Sequence, residues 1–580
     1  MKTFDFTLLF KLINYTKVYK LLFTSTIIIS LLFAFLSIAR PLMIQYAFDN
    51  YIIISDLESL SKIIFLIFLL LLIEAFLQFL FVYLSNFLAH KIVNNLRNEL
   101  FQKVLYFKVK YFDNTPTGQL ITRVVSDMES ISSIFSQGLL VVFGDLFKLI
   151  LIITCMFIVD WKLALVSLLF LPFLILSTII FQKYMKNAFI DVRQYISKIN
   201  SFVYEHIIGM SIVQIFGKEK MEFKAFKKWN SLHREAHIKT ILYFSIFLPI
   251  VDVFSAITMG LLVWYGAIDL VSNGEVTIGE MIAFILFINM LFRPLRGIAD
   301  RFNVLQMGLV AANRVFDLLE NDIDREQMVN NKDFIKWSKT SINFNNVTFY
   351  YNKNETVLDS IDFSINSNQT LAIVGSTGSG KTTIINLLMK WYDLIEGDIS
   401  INGISISDIQ INELRKNIGI VLQNNFFLSD TLLNNIKFFN DISDEKVFEA
   451  VNKMGLNSFI DKFPEKYNYH IGERGAGLSE GEKQLVSFLR SYLLNPSCLI
   501  LDEATSSLDP FTENLIQTGI KNLTQERTSI IIAHRLSTVK YADKIIVLEN
   551  GKIIESGSHE ELIILEGSYA NYYSQQFINN

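Results

Sequence analysis

The sequence predicts a six-helix all-α transmembrane domain with long cytoplasmic helix extensions, followed by a soluble α/β domain. Three observations carry that prediction. Of the 580 residues, 51% are hydrophobic and 19% charged, with a mean hydropathy of +0.37. The apolar residues gather in roughly the first 310 positions, and the rest has the mixed composition of a soluble domain. Six stretches in the apolar part reach the ~20 residues that a bilayer core of about 30 Å requires of a helix. Beyond them, residues 375–383 read Gly-Ser-Thr-Gly-Ser-Gly-Lys-Thr-Thr, preceded by the strand-like Leu371-Ala-Ile-Val374 and followed by the helix-compatible Ile384-Ile-Asn-Leu-Leu-Met389.

The expected spans are 19–43, 60–88, 132–159, 161–184, 240–268 and 277–300, each dominated by Leu, Ile, Phe and Val. The first is too long for a signal-peptide core and lacks a small-residue cleavage pattern, so it reads as a retained anchor. Loop charge sets the orientation. Lys2, Lys11, Lys17 and Lys20 precede the first span, and 89–131 and 185–239 are rich in Lys and Arg. The segments after spans one and five carry Asp49, Asp56, Glu58, Asp269 and Glu275, with Lys62 at the membrane edge. Both termini are therefore expected in the cytoplasm. The two basic segments have helical periodicity and read as extensions of the membrane helices, turning back near 112–118 and 216–220; solvated loops are the alternative. Glu74, Gln78, Asp145, Lys148, Asp252 and Asn289 interrupt the spans. Asp145 and Lys148, three apart on one helical face, read as a structural pair. Cys155 and Cys498 lie in separate apolar runs and give no disulfide framework.

The glycine run satisfies Gly-x-x-x-x-Gly-Lys-[Ser/Thr] in the strand–turn–helix context that this motif needs. The loop of Gly375, Ser376, Thr377, Gly378, Ser379, Gly380, Lys381, Thr382 and Thr383 is expected to curl its amides around phosphate oxygens, aided by the helix N-terminus. Lys381 would neutralise β/γ-phosphate charge and the Thr382 hydroxyl would ligate Mg²⁺. Downstream, the apolar strand Cys498-Leu-Ile-Leu-Asp502-Glu503 ends in two carboxylates. Asp502 is suited to hold Mg²⁺, and Glu503 to polarise an attacking water as general base; capping of the next helix is the simpler use of such residues. Tyr351 closes the strand-like Ile342–Tyr351 stretch and reads either as core or as a platform for a nucleobase. The second half is thus an α/β P-loop ATPase domain.

With these motifs in this order, the chain resembles an ABC exporter half-transporter over nearly its whole length. The resemblance implies a transmembrane domain at 1–320, a linker at 321–340 and an ATP-binding cassette domain at 341–580. It implies that Tyr351 stacks on adenine, that Gln423 in Val421-Leu-Gln-Asn-Asn425 senses Mg²⁺ and the membrane domain, and that Gly472-Glu-Arg-Gly475 precedes the signature. It also makes Asp509 of Ser507-Leu-Asp509 the D-loop residue and His534 of Ala533-His-Arg-Leu-Ser537 the switch histidine. The usual signature, Leu-Ser-Gly-Gly-Gln, is here Leu478-Ser479-Glu480-Gly481-Glu482. Ser479 and Gly481, which resemble the γ-phosphate contacts, are kept. Glu480 and Glu482 bring carboxylates near a polyanion, or else favour the dipole of the helix that begins there.

The implied cofactors are ATP and Mg²⁺, and the implied partners a second half-transporter (homodimer or heterodimer), membrane lipid and a small amphipathic substrate. A net charge of −4 gives no case for nucleic acid. The implied activity is ATP-driven export or flipping of amphipathic or hydrophobic drugs or lipids by alternating access, in a multi-pass protein of a bacterial inner or cell membrane. An ATP-gated channel or regulator, or the hydrolysis-competent half of a heterodimeric exporter, is the alternative.

Overall fold

The computed structural model describes residues 6–272, 276–320, 337, 339–353, 355–423, 425–503, 510–533 and 539–578. They form two compact units. One holds the chain to Leu105 together with Pro116 through the last long helix; the other holds Tyr106–Thr115 together with the soluble half. Most of the expected linker, 321–336 and 338, lies outside the described residues.

Helices build the first unit: α1 (Lys20–Ala47), α2 (Leu57–Leu105), then after the short α3 (Val109–Asn114) α4 (Ser126–Ser133), α5 (Leu140–Val159), α6 (Leu171–Ile208), α7 (Glu219–Ser272) and α8 (Ile278–Glu320). Among the described residues, five helical stretches are long and apolar enough to cross a membrane: Thr7–Ile52, Leu57–Leu105, Thr117–Val159, Trp161–Ile208 and Glu219–Val271. No more than 33% of the most apolar window in any of them is buried, and for Leu57–Leu105 only 6%. Apolar surface left open on this scale belongs against lipid. The sixth expected span, 277–300, falls in α8 (Ile278–Glu320) and is not among these five.

The two basic segments are helical rather than loop. Helix α2 runs on to Leu105, α6 runs on to Ile208 and α7 begins at Glu219, with Gly217 at φ +59° in the second turn. That conformation suits glycine, which has no Cβ to clash. Between the third and fourth expected spans, Asp160 breaks the helix. Its carboxylate accepts from the Leu163 amide at 2.6 Å and caps the next helix. Helices α6 and α7 meet through the stacked rings of Phe181 and Phe247, 4.1 Å apart. Asp127 on α4, only 3% exposed, pairs with Arg314 on α8 at 2.5 Å. The expected pairing of Asp145 with Lys148 is not the one found: Asp145 pairs with Arg301 of α8, while the Lys148 ammonium sits over the Phe33 ring of α1, 5.3 Å from its centre. Residues three apart can meet on one helix, but the neighbouring helix offered a guanidinium, a better partner for a carboxylate.

The second unit is α/β. A four-stranded sheet has the order β2 (Thr356–Ile365), β1 (Ile342–Tyr350), β4 (Glu396–Ile401), β5 (Ile404–Ser405). A six-stranded sheet has the order β12 (Lys552–Gly557), β11 (Lys544–Glu549), β3 (Thr370–Gly375), β10 (Thr528–Ala533), β9 (Cys498–Glu503), β6 (Ile418–Val421), and β7 (Asp430–Thr431) pairs with β8 (His470–Ile471). From β11 to β6 every pairing is parallel. Such strands are covered on both faces, hence their unbroken apolar runs. Alternate residues enter different cores: Ala372, Val374, Leu499, Leu501 and Ile531 on one face, Leu371, Ile373, Ile500, Ile530 and Ile532 on the other. Cys498 is buried, Cys155 is half-buried, and both are free thiols. Within this unit the short α3 is held by two polar contacts. Tyr392 Oη donates to Asp113 at 2.6 Å, and Lys108 Nζ donates to Asp393 at 2.6 Å.

Candidate nucleotide site

Strand register brings the sequence motifs together. In the parallel sheet Ile532 is level with both Asp502 and Ile373. Consequently the loop after β3, the Asp502–Glu503 end of β9 and the end of β10 at Ala533 share one carboxyl edge, where α/β sheets bind ligands. Gln423 follows β6, the next strand over, and its side chain is exposed. The Glu503 backbone ends β9. Its side chain, Asp509 and His534 lie outside the described residues.

The loop itself is preformed. Gly378 and Gly380 take φ of +83° and +105°, and a Cβ on Gly375 would fall 2.1 Å from the Leu548 carbonyl oxygen. Only glycine fits those places. Helix α9 (Lys381–Leu388) starts directly after the loop. The ammonium of Lys381 is folded back onto its own loop, donating to the Gly375 and Ser376 carbonyls at 2.8 and 2.7 Å. Burial pushes Lys381 below the usual ammonium range, and the Asp502 carboxylate opposes that. Asp502 is 8% exposed. The Ser379 hydroxyl is buried with no hydrogen-bond partner among the described residues. A cation satisfied by carbonyls, an orphaned hydroxyl and a run of loop amides form a cradle that fits phosphate. The Thr382 side chain is exposed, while Thr383 is buried and bonded to Tyr351.

Tyr351 is 41% exposed at the end of the first hairpin. Its hydroxyl lies 3.1 Å from Thr383 Oγ1 and accepts from Asn386 at 2.9 Å. Thus the ring's hydroxyl is pinned to α9 while the side chain stays partly exposed. Tyr392 stands edge-on to it, with ring centres 5.0 Å apart. Sequence reasoning missed Asn386 and Tyr392. The signal was proximity, since both follow the loop within the next dozen residues.

The altered signature opens α10 (Glu480–Leu494). Ser479 is its N-cap and Gly481 is buried in its first turn. Glu482 turns inward, 6% exposed, where it accepts from the Ser479 amide at 2.7 Å and pairs with Lys462. Burial pushes its carboxyl up, but the Lys462 and Ser479 hydrogen bonds outweigh burial and hold it below the usual carboxylate range. Glu480 pairs with Lys483 at 2.8 Å. Each added acid carries its own lysine.

A nucleotide-binding α/β unit in one chain with a transmembrane helical unit is the make-up of an ATP-powered transporter. The family model described as the ABC transporter transmembrane region matches residues 23–295, and the one described as ABC transporter matches 358–506. A Streptococcus pneumoniae protein assigned as an ABC transporter ATP-binding protein is 36% identical, over 99% of this chain and 98% of its own. A Staphylococcus aureus protein assigned as a multidrug export ATP-binding/permease protein is 34% identical, over 97% and 99%. The solved structure of a bacterial Atm1-family ABC exporter with ATP bound superposes with a TM-score of 0.79 at 26% identity, covering 97% of this chain and 99% of that one. The chain belongs to the ABC exporter family. It is an integral membrane protein that binds ATP and hydrolyses it in a reaction coupled to transport.

Proposed function

We propose that the protein is a half-transporter that exports or flips amphipathic or hydrophobic molecules, drugs or lipids, by alternating access. The observation that carries this reading is a preformed phosphate cradle in the same chain as helices whose apolar faces are left open. Residues 1–320, 321–340 and 341–580 serve as membrane domain, linker and ATPase domain. Helix α8 supplies the sixth span, the termini are cytoplasmic, and the membrane is a bacterial cell membrane. At the ATP site, the loop from Gly375 to Thr383 holds the phosphates and Tyr351 stacks on adenine. Ser479, Gly481 and Asp509 complete the site across a dimer. Thr382, Asp502 and Gln423 hold Mg²⁺, which when bound neutralises charge developing on the phosphates. Glu503 orients and deprotonates the attacking water, and His534 positions the groups around it.

The second subunit is another copy of this chain. Glu482 and Glu480 are each neutralised by lysine, so the altered signature keeps a serviceable helix start for both sites of a homodimer. The short α3, held by Tyr392 and Asp393, transmits the state of the ATPase domain to the membrane helices. Tighter ATP binding to the closed form then shifts a two-state population.

The test is purification of the chain alone in mild detergent and reconstitution into vesicles. It should run as a dimer, hydrolyse ATP faster when amphiphiles are added, and move a fluorescent amphiphile or lipid across the bilayer. Glu503→Gln should keep ATP binding while losing roughly 100-fold or more of turnover, the usual scale of general-base loss. Hydrolysis without movement of any solute or lipid would refute the export reading.

A further inference from the structure

Within the membrane unit, a group of charges around Lys148 holds more cations than carboxylates. Arg40 of α1 pairs with Glu74 of α2 at 3.5 Å, and Arg301 of α8 pairs with Asp145 of α5. Lys148 of α5 and Arg293 of α8 form no ion pair with a carboxylate among the described residues. The charges acting on Lys148 are Glu74, Arg40 and Arg293, so these groups face one region. Three cations, Lys148, Arg40 and Arg293, therefore share one carboxylate, Glu74, while the Asp145–Arg301 pair adds no net charge. Beside them lies a cavity of about 160 Å³, walled by Leu146, Leu149, Pro294 and Leu305 with the Asp145–Arg301 pair.

Depth makes the imbalance informative. Asp145 lies fourteen residues before Val159 at the end of α5, and Arg293 fifteen after Ile278 at the start of α8. At 1.5 Å per residue both are about 21–23 Å in from the external helix ends, in the orientation proposed above. That is the cytosolic half of a hydrocarbon core about 30 Å thick. Unbalanced charge there is costly and is retained where a pathway or ligand uses it. Snorkelling to the interface would be the simplest relief for a lysine. Lys148 instead lies across the Phe33 ring of the neighbouring helix.

We propose that this cluster binds the headgroup of the transported molecule, and that the cargo is an amphiphile with an anionic headgroup, phosphate or carboxylate, on an apolar tail. The inference rests on the export reading above and deepens it. Lys148 and Arg293 supply charge-assisted hydrogen bonds to the headgroup. The leucine-walled cavity takes the first part of the tail, and Glu74 and Asp145 hold Arg40 and Arg301 in place. A cationic amphiphile would add to the positive excess and is rejected. The shared chemistry has two sources, an anionic lipid of the cytosolic leaflet or a free anionic amphiphile.

The experiment uses the full-length protein in phosphatidylcholine nanodiscs and follows ATPase stimulation by three dodecyl amphiphiles: dodecyl phosphate, dodecylphosphocholine and dodecyltrimethylammonium. Dodecyl phosphate should reach half-maximal stimulation at a concentration about tenfold below that of the trimethylammonium, the effect of one charge-assisted hydrogen bond. Lys148→Gln and Arg293→Gln should each raise that concentration about tenfold, and Lys148→Arg should restore it. Arg293 is exposed, so its variant carries the test even if Lys148→Gln does not fold. Stimulation by phosphatidylglycerol placed in the nanodisc assigns the headgroup to lipid; stimulation by added dodecyl phosphate alone assigns it to a free amphiphile. A cationic preference, or an anionic preference untouched in both Gln variants, overturns the headgroup site and leaves export standing. No stimulation by any amphiphile overturns both.

Discussion

Replacing Glu482 tests whether the acidic signature is a phosphate-facing defect or a structural part. In Glu482→Ala, the Ser479 amide loses a charged acceptor, worth about 1.5–3 kcal/mol. The first turn of α10 loses a carboxylate beside its dipole, about 0.3–1 kcal/mol. Lys462 is 62% exposed, so its loss adds at most about 1 kcal/mol. Together these give about 2–5 kcal/mol of local destabilisation. Hydrogen exchange of the peptide spanning α10's first turns should quicken at least roughly 30-fold, and up to several thousand-fold. Glu482→Gln keeps an oxygen for the Ser479 amide and should cost about 1 kcal/mol, near fivefold in exchange. Because the carboxylate points to Lys462, the KM for ATP in Glu482→Gln should change by less than about twofold. A carboxylate 4 Å from a phosphate in water would instead repel it by about 1 kcal/mol, and its removal would lower KM roughly fivefold. A fivefold drop in KM with unchanged exchange would refute the inward-facing account. The same carboxyl gives a pH signature. Its folded value is depressed, so its contribution is full above the unfolded value of about 4.3 and is lost as pH falls through the lower folded value.

Three further outcomes follow from the contacts described. Lys381→Ala removes a charged phosphate contact and should weaken ATP binding about 10- to 100-fold in a fluorescent-nucleotide titration. Tyr392→Phe keeps the ring beside Tyr351 but removes the 2.6 Å bond to Asp113; basal ATPase should hold within about twofold while substrate stimulation falls by roughly half or more, at a bond value near 1 kcal/mol. Arg314→Ala leaves the buried Asp127 carboxylate unpaired and should cost about 2 kcal/mol, lowering the thermal midpoint in detergent, and adding Asp127→Asn should recover most of the loss.

Local patterns were legible in the sequence; partnerships between distant residues were not. Apolar run length placed the long helices, and strand–glycine–helix order placed the phosphate cradle, because each depends on residues adjacent in the chain. The Asp145–Lys148 pairing failed for the opposite reason. Helical spacing makes it possible, but the choice between Lys148 and Arg301 depends on which helix packs alongside. Lys462, twenty positions before Glu482, carried no signal of its own, yet it decides what the altered signature does. Likewise, no periodicity shows that α3 clusters with the soluble half; the contacts to Tyr392 and Asp393 span more than 270 positions.

The parallel sheet also sets a timetable for biogenesis. Strand β3 can complete its place only when β10 arrives between it and β9, some 150 positions later in the chain. At translation speeds of 5–20 residues per second, that is on the order of ten seconds during which the glycine loop exists without its neighbours. The membrane helices are made before any of it. A nascent or truncated chain can thus enter the bilayer while still unable to consume ATP, a safeguard that comes from topology alone and needs no inhibitor.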